Sequence, residues 1–97
     1  MSRQHYAVIA DDHAIVRAGI RDALEKPGLI TAQGIQVVQE AADGLAAIAA
    51  VERHKPHLLV LDVQMPLAGG VETLIEVRRI SPATKVRLTT KPTGSLD

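Results

Sequence analysis

The sequence has no cysteine, no phenylalanine, no tryptophan and one tyrosine, Tyr6. Without thiols, disulfides and thiolate metal sites are excluded. Without large aromatics, a core must be built from Val, Ile, Leu and Ala. An excess of one charge is also missing. Eleven basic and eleven acidic residues give a formal net charge of zero, with a pI near 6.9. A chain without a basic footprint is a poor nucleic-acid binder by itself. The apolar runs fall far short of the roughly 18 residues that mark a membrane span. The start, Met1-Ser2-Arg3-Gln4-His5-Tyr6, carries no apolar signal-peptide stretch. A cytoplasmic protein with no membrane attachment is therefore the expectation. What is present fits one domain: 97 residues, 46% hydrophobic, can bury a modest core and are too apolar to stay disordered.

The order of patterns along the chain is βαβαβαβ. Residues 6–10 form a short apolar run that reads as a strand buried on both faces. Ile15, Val16, Ile20, Ala23 and Leu24 recur at helical spacing, which predicts a helix over 14–26 that stops at Lys26-Pro27-Gly28. A loop over 28–34 precedes a second strand over 35–41. Asp43 is placed to cap a second helix that runs to about His54 with Leu45, Ile48, Ala49 and Val51 on its apolar face. The Ala-rich stretch from Ala41 to Ala50 reads as close helix packing rather than a partner surface. Pro56 precedes a third strand over 57–61. Val71, Leu74, Ile75 and Arg78 predict a third helix, ending near Ile80 and Pro82. Lys85–Thr90 is a fourth strand interrupted by Arg87 and Thr89. This alternation predicts parallel strands joined by right-handed crossovers.

Three carboxylates carry the chemistry. Asp11 and Asp12 end the first apolar strand and Asp62 ends the third. If those strands are parallel neighbours, all three meet at one sheet edge, where open parallel sheets bind ligands. At a separation of about 4 Å, each like-charge pair costs roughly 4 kcal/mol at an effective dielectric near 20. A divalent cation removes that repulsion, and a small set of hard oxygens suits Mg²⁺. The plainer reading is that Asp11 or Asp12 caps the first helix and Asp62 is solvated. It accounts less well for three acids at strand ends. His5, His13, His54 and His57 show no metal-ligand spacing and read as surface residues, with His13 a bystander to the acidic pair.

Several motifs resemble, in order, the receiver domain of two-component response regulators. They are Val8-Ile9-Ala10-Asp11-Asp12-His13, Ala41-Ala42-Asp43-Gly44, the run from Pro56 through Asp62 to Met65-Pro66, and Gly69-Gly70. The run Asp12-His13-Ala14-Ile15-Val16-Arg17-Ala18-Gly19-Ile20 is similar to the subfamily whose receivers precede a LuxR-type helix-turn-helix domain. The resemblance implies an α/β, flavodoxin-like, doubly wound parallel sheet of order 2-1-3-4. It implies that Asp62 is the phosphoacceptor for a sensor histidine kinase, and that Asp11, Asp12 and Asp62 hold Mg²⁺ with the backbone carbonyl of Gln64. Pro66 and Gly69 would shape the loop after the acceptor strand. Thr90 matches the switch hydroxyl better than Thr89. The chain would be a phosphoprotein acceptor controlling a DNA-binding output domain, and not itself an enzyme.

The resemblance covers residues 6 to about 90, within a truncated receiver-like domain over 1–90, and the tail 91–97 is expected to be flexible or outside the family pattern. The family's Lys on a fifth strand has no match. Lys91 directly follows Thr90, whereas a strand–helix–strand crossover needs roughly a dozen residues. The usual fifth strand and last helices are therefore expected to be lacking, which leaves strand four as an edge and favours a homodimer across it. Two alternatives remain: a degenerate receiver acting only as a protein-interaction module, and a Mg²⁺-dependent phosphohydrolase of the aspartyl-phosphate type. The second would need a general acid where Gln64 stands, and an amide cannot donate a proton as Asp does.

Overall fold

Parallel pairing at the middle of the sheet is what the strand sequences demand, because strands without a polar face can only sit between two helical layers. The computed structural model describes residues 4–65 and 69–89. Its elements are β1 (His5–Ala10), α1 (Ala14–Glu25), β2 (Ile35–Ala41), α2 (Gly44–His54), β3 (Leu58–Asp62), α3 (Gly70–Ile80) and β4 (Lys85–Thr89). The sheet order is β2-β1-β3-β4 and all pairs are parallel. The fold is the flavodoxin-like arrangement expected above.

Alternation along β1 divides the core. Ala7 and Ile9 point to the α1 side, where they meet Leu24, Ile35, Val37 and Val60, with Ile20 packed alongside. Val8 and Ala10 point to the opposite side, where Ala47, Ala50 and Val51 of α2 and Val77 of α3 cover Leu59 and Leu61. The buried stripe of α2 is Gly44, Ala47, Ala50 and Val51; of the expected face only Val51 is buried, with Ile48 half-buried and Ala49 exposed.

Helix faces differ from the spacing pattern. Ile15 is 87% exposed and Val16 is exposed as well, so α1 buries only its last turns. Leu45, Val71 and Ile75 also face outward, while Thr73 is fully buried in the place expected of Val71 or Ile75. A helix pattern defines which residues share a side but not how far neighbouring elements reach over it. The third strand also shifts by one residue, running from Leu58 to Asp62. Just before it, the backbone N–H of Tyr6 donates to the ring Nδ1 of His57 at 3.0 Å, and the His57 N–H donates to the Tyr6 carbonyl at 2.9 Å. At the other end Asp62 pairs with Thr89 and stays in the strand. Asp43 does cap α2, its side chain accepting from the Ala46 N–H at 2.8 Å. The expected end of β4 at Thr90 and the tail 91–97 lie outside the described residues, as does Pro66. No helix among the described residues is long and apolar enough to cross a membrane.

Gly70 sets the approach of α3 to the end of β3. A Cβ there would lie 2.5 Å from the Val63 Cα and 2.9 Å from its carbonyl oxygen, both rigid backbone atoms. Gly19, exposed in mid-helix, would place a Cβ in open space. Gly70→Ala should therefore destabilise by about 1–3 kcal/mol through overpacking, whereas Gly19→Ala should stabilise by about 0.8–1 kcal/mol through helix propensity. Urea unfolding of the two variants checks the opposite signs; shifts of the same sign would contradict this account of Gly70.

Candidate functional site at the carboxyl edge of the sheet

The β1–β3 register pairs Ala10 with Leu61. The next residues, Asp11 and Asp62, therefore emerge side by side at the carboxyl edge. Asp11 is 1% exposed and Asp62 is fully buried. Ionised carboxylates at such positions are costly unless donors or a cation meet them. Asp62 Oδ1 accepts the N–H of Gln64 at 2.9 Å. Asp11 Oδ1 accepts the N–H of His13 at 2.8 Å. Asp11 Oδ2, by contrast, is buried and has no hydrogen-bond partner among the described residues.

Asp12 is the more open member of the pair, and His13 leans on it. The His13 Nδ1 lies 2.9 Å from Asp12 Oδ1 and 3.6 Å from Asp11 Oδ1. Ligand atoms of Asp11, Asp12 and His13 all lie within 4.8 Å of one another, a spacing that a metal ion can bridge. Neither Asp11 nor Asp12 caps α1: the N-cap is His13, with no side-chain cap. The helix-capping alternative for the two acids is thus removed. The donor set is oxygen-dominated, and the orphaned Asp11 Oδ2 is the buried anionic atom that a hard cation would satisfy, so these residues fit Mg²⁺.

The loop after β3 returns to the same edge. Val63 donates to the Thr89 carbonyl at 3.1 Å, which brings the end of β4 alongside. Gly69 is the N-cap of α3, and Gly70 donates to the Val63 carbonyl. Thr90, the expected switch hydroxyl, lies outside the described residues.

Sequence reasoning missed a second layer. Arg17 Nη1 donates to the Asp11 carbonyl at 2.7 Å, and its Nε donates to Glu40 Oε1 at 2.8 Å. Arg21 Nε takes the other Glu40 oxygen at 2.8 Å, and also reaches Glu25. Glu25 in turn accepts the Val37 N–H at 3.0 Å. Helical spacing of Arg17 and Arg21 was the only available signal, and it does not say what they face. The Arg17 hydrogen bonds, followed by those of Arg21, hold the Glu40 carboxyl below its ordinary range.

A family model described as the response regulator receiver domain matches residues 7–95. The oxygen regulatory protein NreC of Staphylococcus epidermidis is 41% identical over 86 residues, covering 86% of this chain and 36% of that protein. The signal receiver domain of the putative response regulator NarL from Mycobacterium tuberculosis superposes with a TM-score of 0.81 at 32% identity, covering 92% of this chain and 68% of that one. A LuxR-family two-component response regulator from Aurantimonas superposes at 0.79 with 30% identity, covering 95% of this chain and 62% of that one. The chain spans only 35–36% of the length of several curated regulatory proteins that it matches.

The Glu40 clamp has a pH signature. The folded state holds Glu40 ionised where the unfolded chain, near its ordinary value of 4.5, already takes up a proton. Low pH therefore favours the unfolded state. The stabilisation is complete above that value and is lost as pH falls through the lower folded value. Glu40→Gln should cost about 1 kcal/mol at pH 7, after allowance for solvent screening. The gap to wild type should close as the pH is lowered below 4.5, as read by urea unfolding across pH. A gap independent of pH would refute the ionic account of this contact.

Proposed function

The chain belongs to the response regulator receiver domain family, and from that membership we propose that Asp62 is its phosphoacceptor. The observation that carries the reading is a buried Asp62 beside an Asp11 whose Oδ2 lacks any partner among the described residues. In the proposed step an Asp62 carboxylate oxygen bonds to the phosphorus of a phosphohistidine on a sensor kinase. The phosphorus–nitrogen bond breaks and its electron pair leaves on the imidazole. Asp11, Asp12 and Asp62, with the Gln64 backbone carbonyl, would hold Mg²⁺, which when bound neutralises charge on the phosphoryl oxygens. Thr90 is proposed as the switch hydroxyl.

On this reading the chain is a stoichiometric signal acceptor in the cytoplasm and not an enzyme in its own right. In a longer regulator its phosphorylation would control a DNA-binding output domain. Exposed Ile15 and Val16 on α1 stand near the carboxyl edge and offer apolar contact to a protein donor.

Incubation with acetyl phosphate and Mg²⁺ should add one phosphoryl group, and Asp62→Asn should abolish it. Asp12→Ala should weaken Mg²⁺ binding measured by calorimetry. Undiminished labelling of Asp62→Asn would overturn the assignment of the acceptor. Wild type that binds Mg²⁺ yet takes no label would point instead to an interaction-only module.

Self-association is a separate part of the proposal. Among the described residues β4 is an edge strand, and its Leu88 is 52% exposed. An open edge bearing an apolar side chain is a template for a second copy. Sedimentation at high micromolar concentration should show dimers, and a compact, cooperatively unfolding monomer would refute pairing at this edge.

A further inference from the structure

We propose that Arg17 is a positioning residue of the acidic site, fixing the Asp11 backbone so that one carboxylate oxygen is left for a cation. The proposal rests on the Mg²⁺ reading above. The Asp11 N–H donates to the Ala41 carbonyl at 3.0 Å, and the Asp11 carbonyl accepts from Arg17 Nη1 at 2.7 Å. Its Oδ1 accepts from the His13 N–H. Three of the four polar atoms of Asp11 are thereby committed to the protein, and Oδ2 alone is not.

The contacts close a ring. Arg17 also bonds Glu40, and Glu40 immediately precedes Ala41, whose carbonyl holds the Asp11 N–H. The ends of β1 and β2 and the second turn of α1 are locked together through this one guanidinium, whose side chain is only 18% exposed. Glu40 has a second task. An unpaired guanidinium beside Asp11 and Asp12 would compete with a metal ion for their charge. Pairing with Glu40 neutralises Arg17, and its free arm goes to a backbone carbonyl rather than to a carboxylate. Arg21 holds the second oxygen of Glu40 and its other contact is Glu25, not Asp11, so it supplies an internal control.

The test compares Arg17→Gln, Arg17→Lys and Arg21→Gln by Mg²⁺ calorimetry, urea unfolding and the backbone amide NMR shifts of Asp11, Asp12 and His13 in metal-free protein. Arg17→Gln should bind Mg²⁺ about tenfold more weakly, the loss typical when a partner behind a metal ligand is removed. Arg17→Lys should fall between, because a single ammonium cannot serve both partners with the geometry of a guanidinium. Arg21→Gln should lose comparable folding stability yet keep Mg²⁺ affinity and the three amide shifts near those of wild type. Wild-type affinity in Arg17→Gln, or an equal loss in Arg21→Gln, would overturn the proposal. If wild type itself binds no Mg²⁺, the phosphoacceptor reading fails on its own account. The amide shifts then decide the positioning alone, and unmoved Asp11 and Asp12 amides in Arg17→Gln would sink it.

Discussion

Two carboxylates buried at the ends of adjacent apolar strands are the constraint to which the rest of the molecule answers. Strands β1 and β3 have no polar face to spend on solvent, so they occupy the centre of the sheet. That placement puts Asp11 and Asp62 where water cannot solvate them fully. Each carboxylate is met by a backbone N–H two residues further on, from His13 and from Gln64. The same local turn thus appears twice, once after each strand. It keeps the backbone turning away from the sheet while the carboxylate stays at the edge. At Asp11 the turn satisfies Oδ1 and leaves Oδ2 without a hydrogen-bond partner among the described residues.

The architecture was legible because its signals are local and redundant. The apolar runs at 6–10 and 57–61 mark central strands by composition alone. Asp43 before Gly44 marks a helix start by the chemistry of an N-cap, and the Asp43–Ala46 hydrogen bond realises it. The register of β1 against β3 then follows, and it brings Asp11 and Asp62 to one edge. What stayed illegible depends on contacts between distant segments. Ile15, Val71 and Ile75 fit a helical stripe, yet no described element covers them, so periodicity overstated the buried face. Thr73, polar by type, is buried instead. Glu40 and Arg17 are 23 positions apart and meet only because α1 crosses back over β2. His13 reads as a bystander to the acidic pair, yet its Nδ1 lies 2.9 Å from Asp12 Oδ1, because the turn after β1 folds the side chain back.

The two ends of the sheet solve the same problem in different ways. At the amino end neutral groups supply part of the tie, beside the Arg78 and Lys55 side chains that donate to the Thr84 and Ile80 carbonyls. Thr84 Oγ1 donates to the Pro56 carbonyl at 2.6 Å and shares a 2.7 Å contact with Ser81 Oγ, both side chains being buried. The Tyr6 N–H engages a ring nitrogen of His57, which therefore acts there as an acceptor. Hydrogen bonds between neutral groups add modest stability and need no counter-ion. At the carboxyl end the same chain places acids, an imidazole and a guanidinium, held in register by the Glu40 clamp. A chain selected for stability alone would do better with neutral groups at both ends, because buried charge is weak evidence of stabilisation. A buried Asp11 whose Oδ2 has no hydrogen-bond partner among the described residues is a cost that stability alone does not account for. The pairs of Arg17 and Arg21 with Glu40 support the Asp11 backbone and leave that oxygen uncommitted.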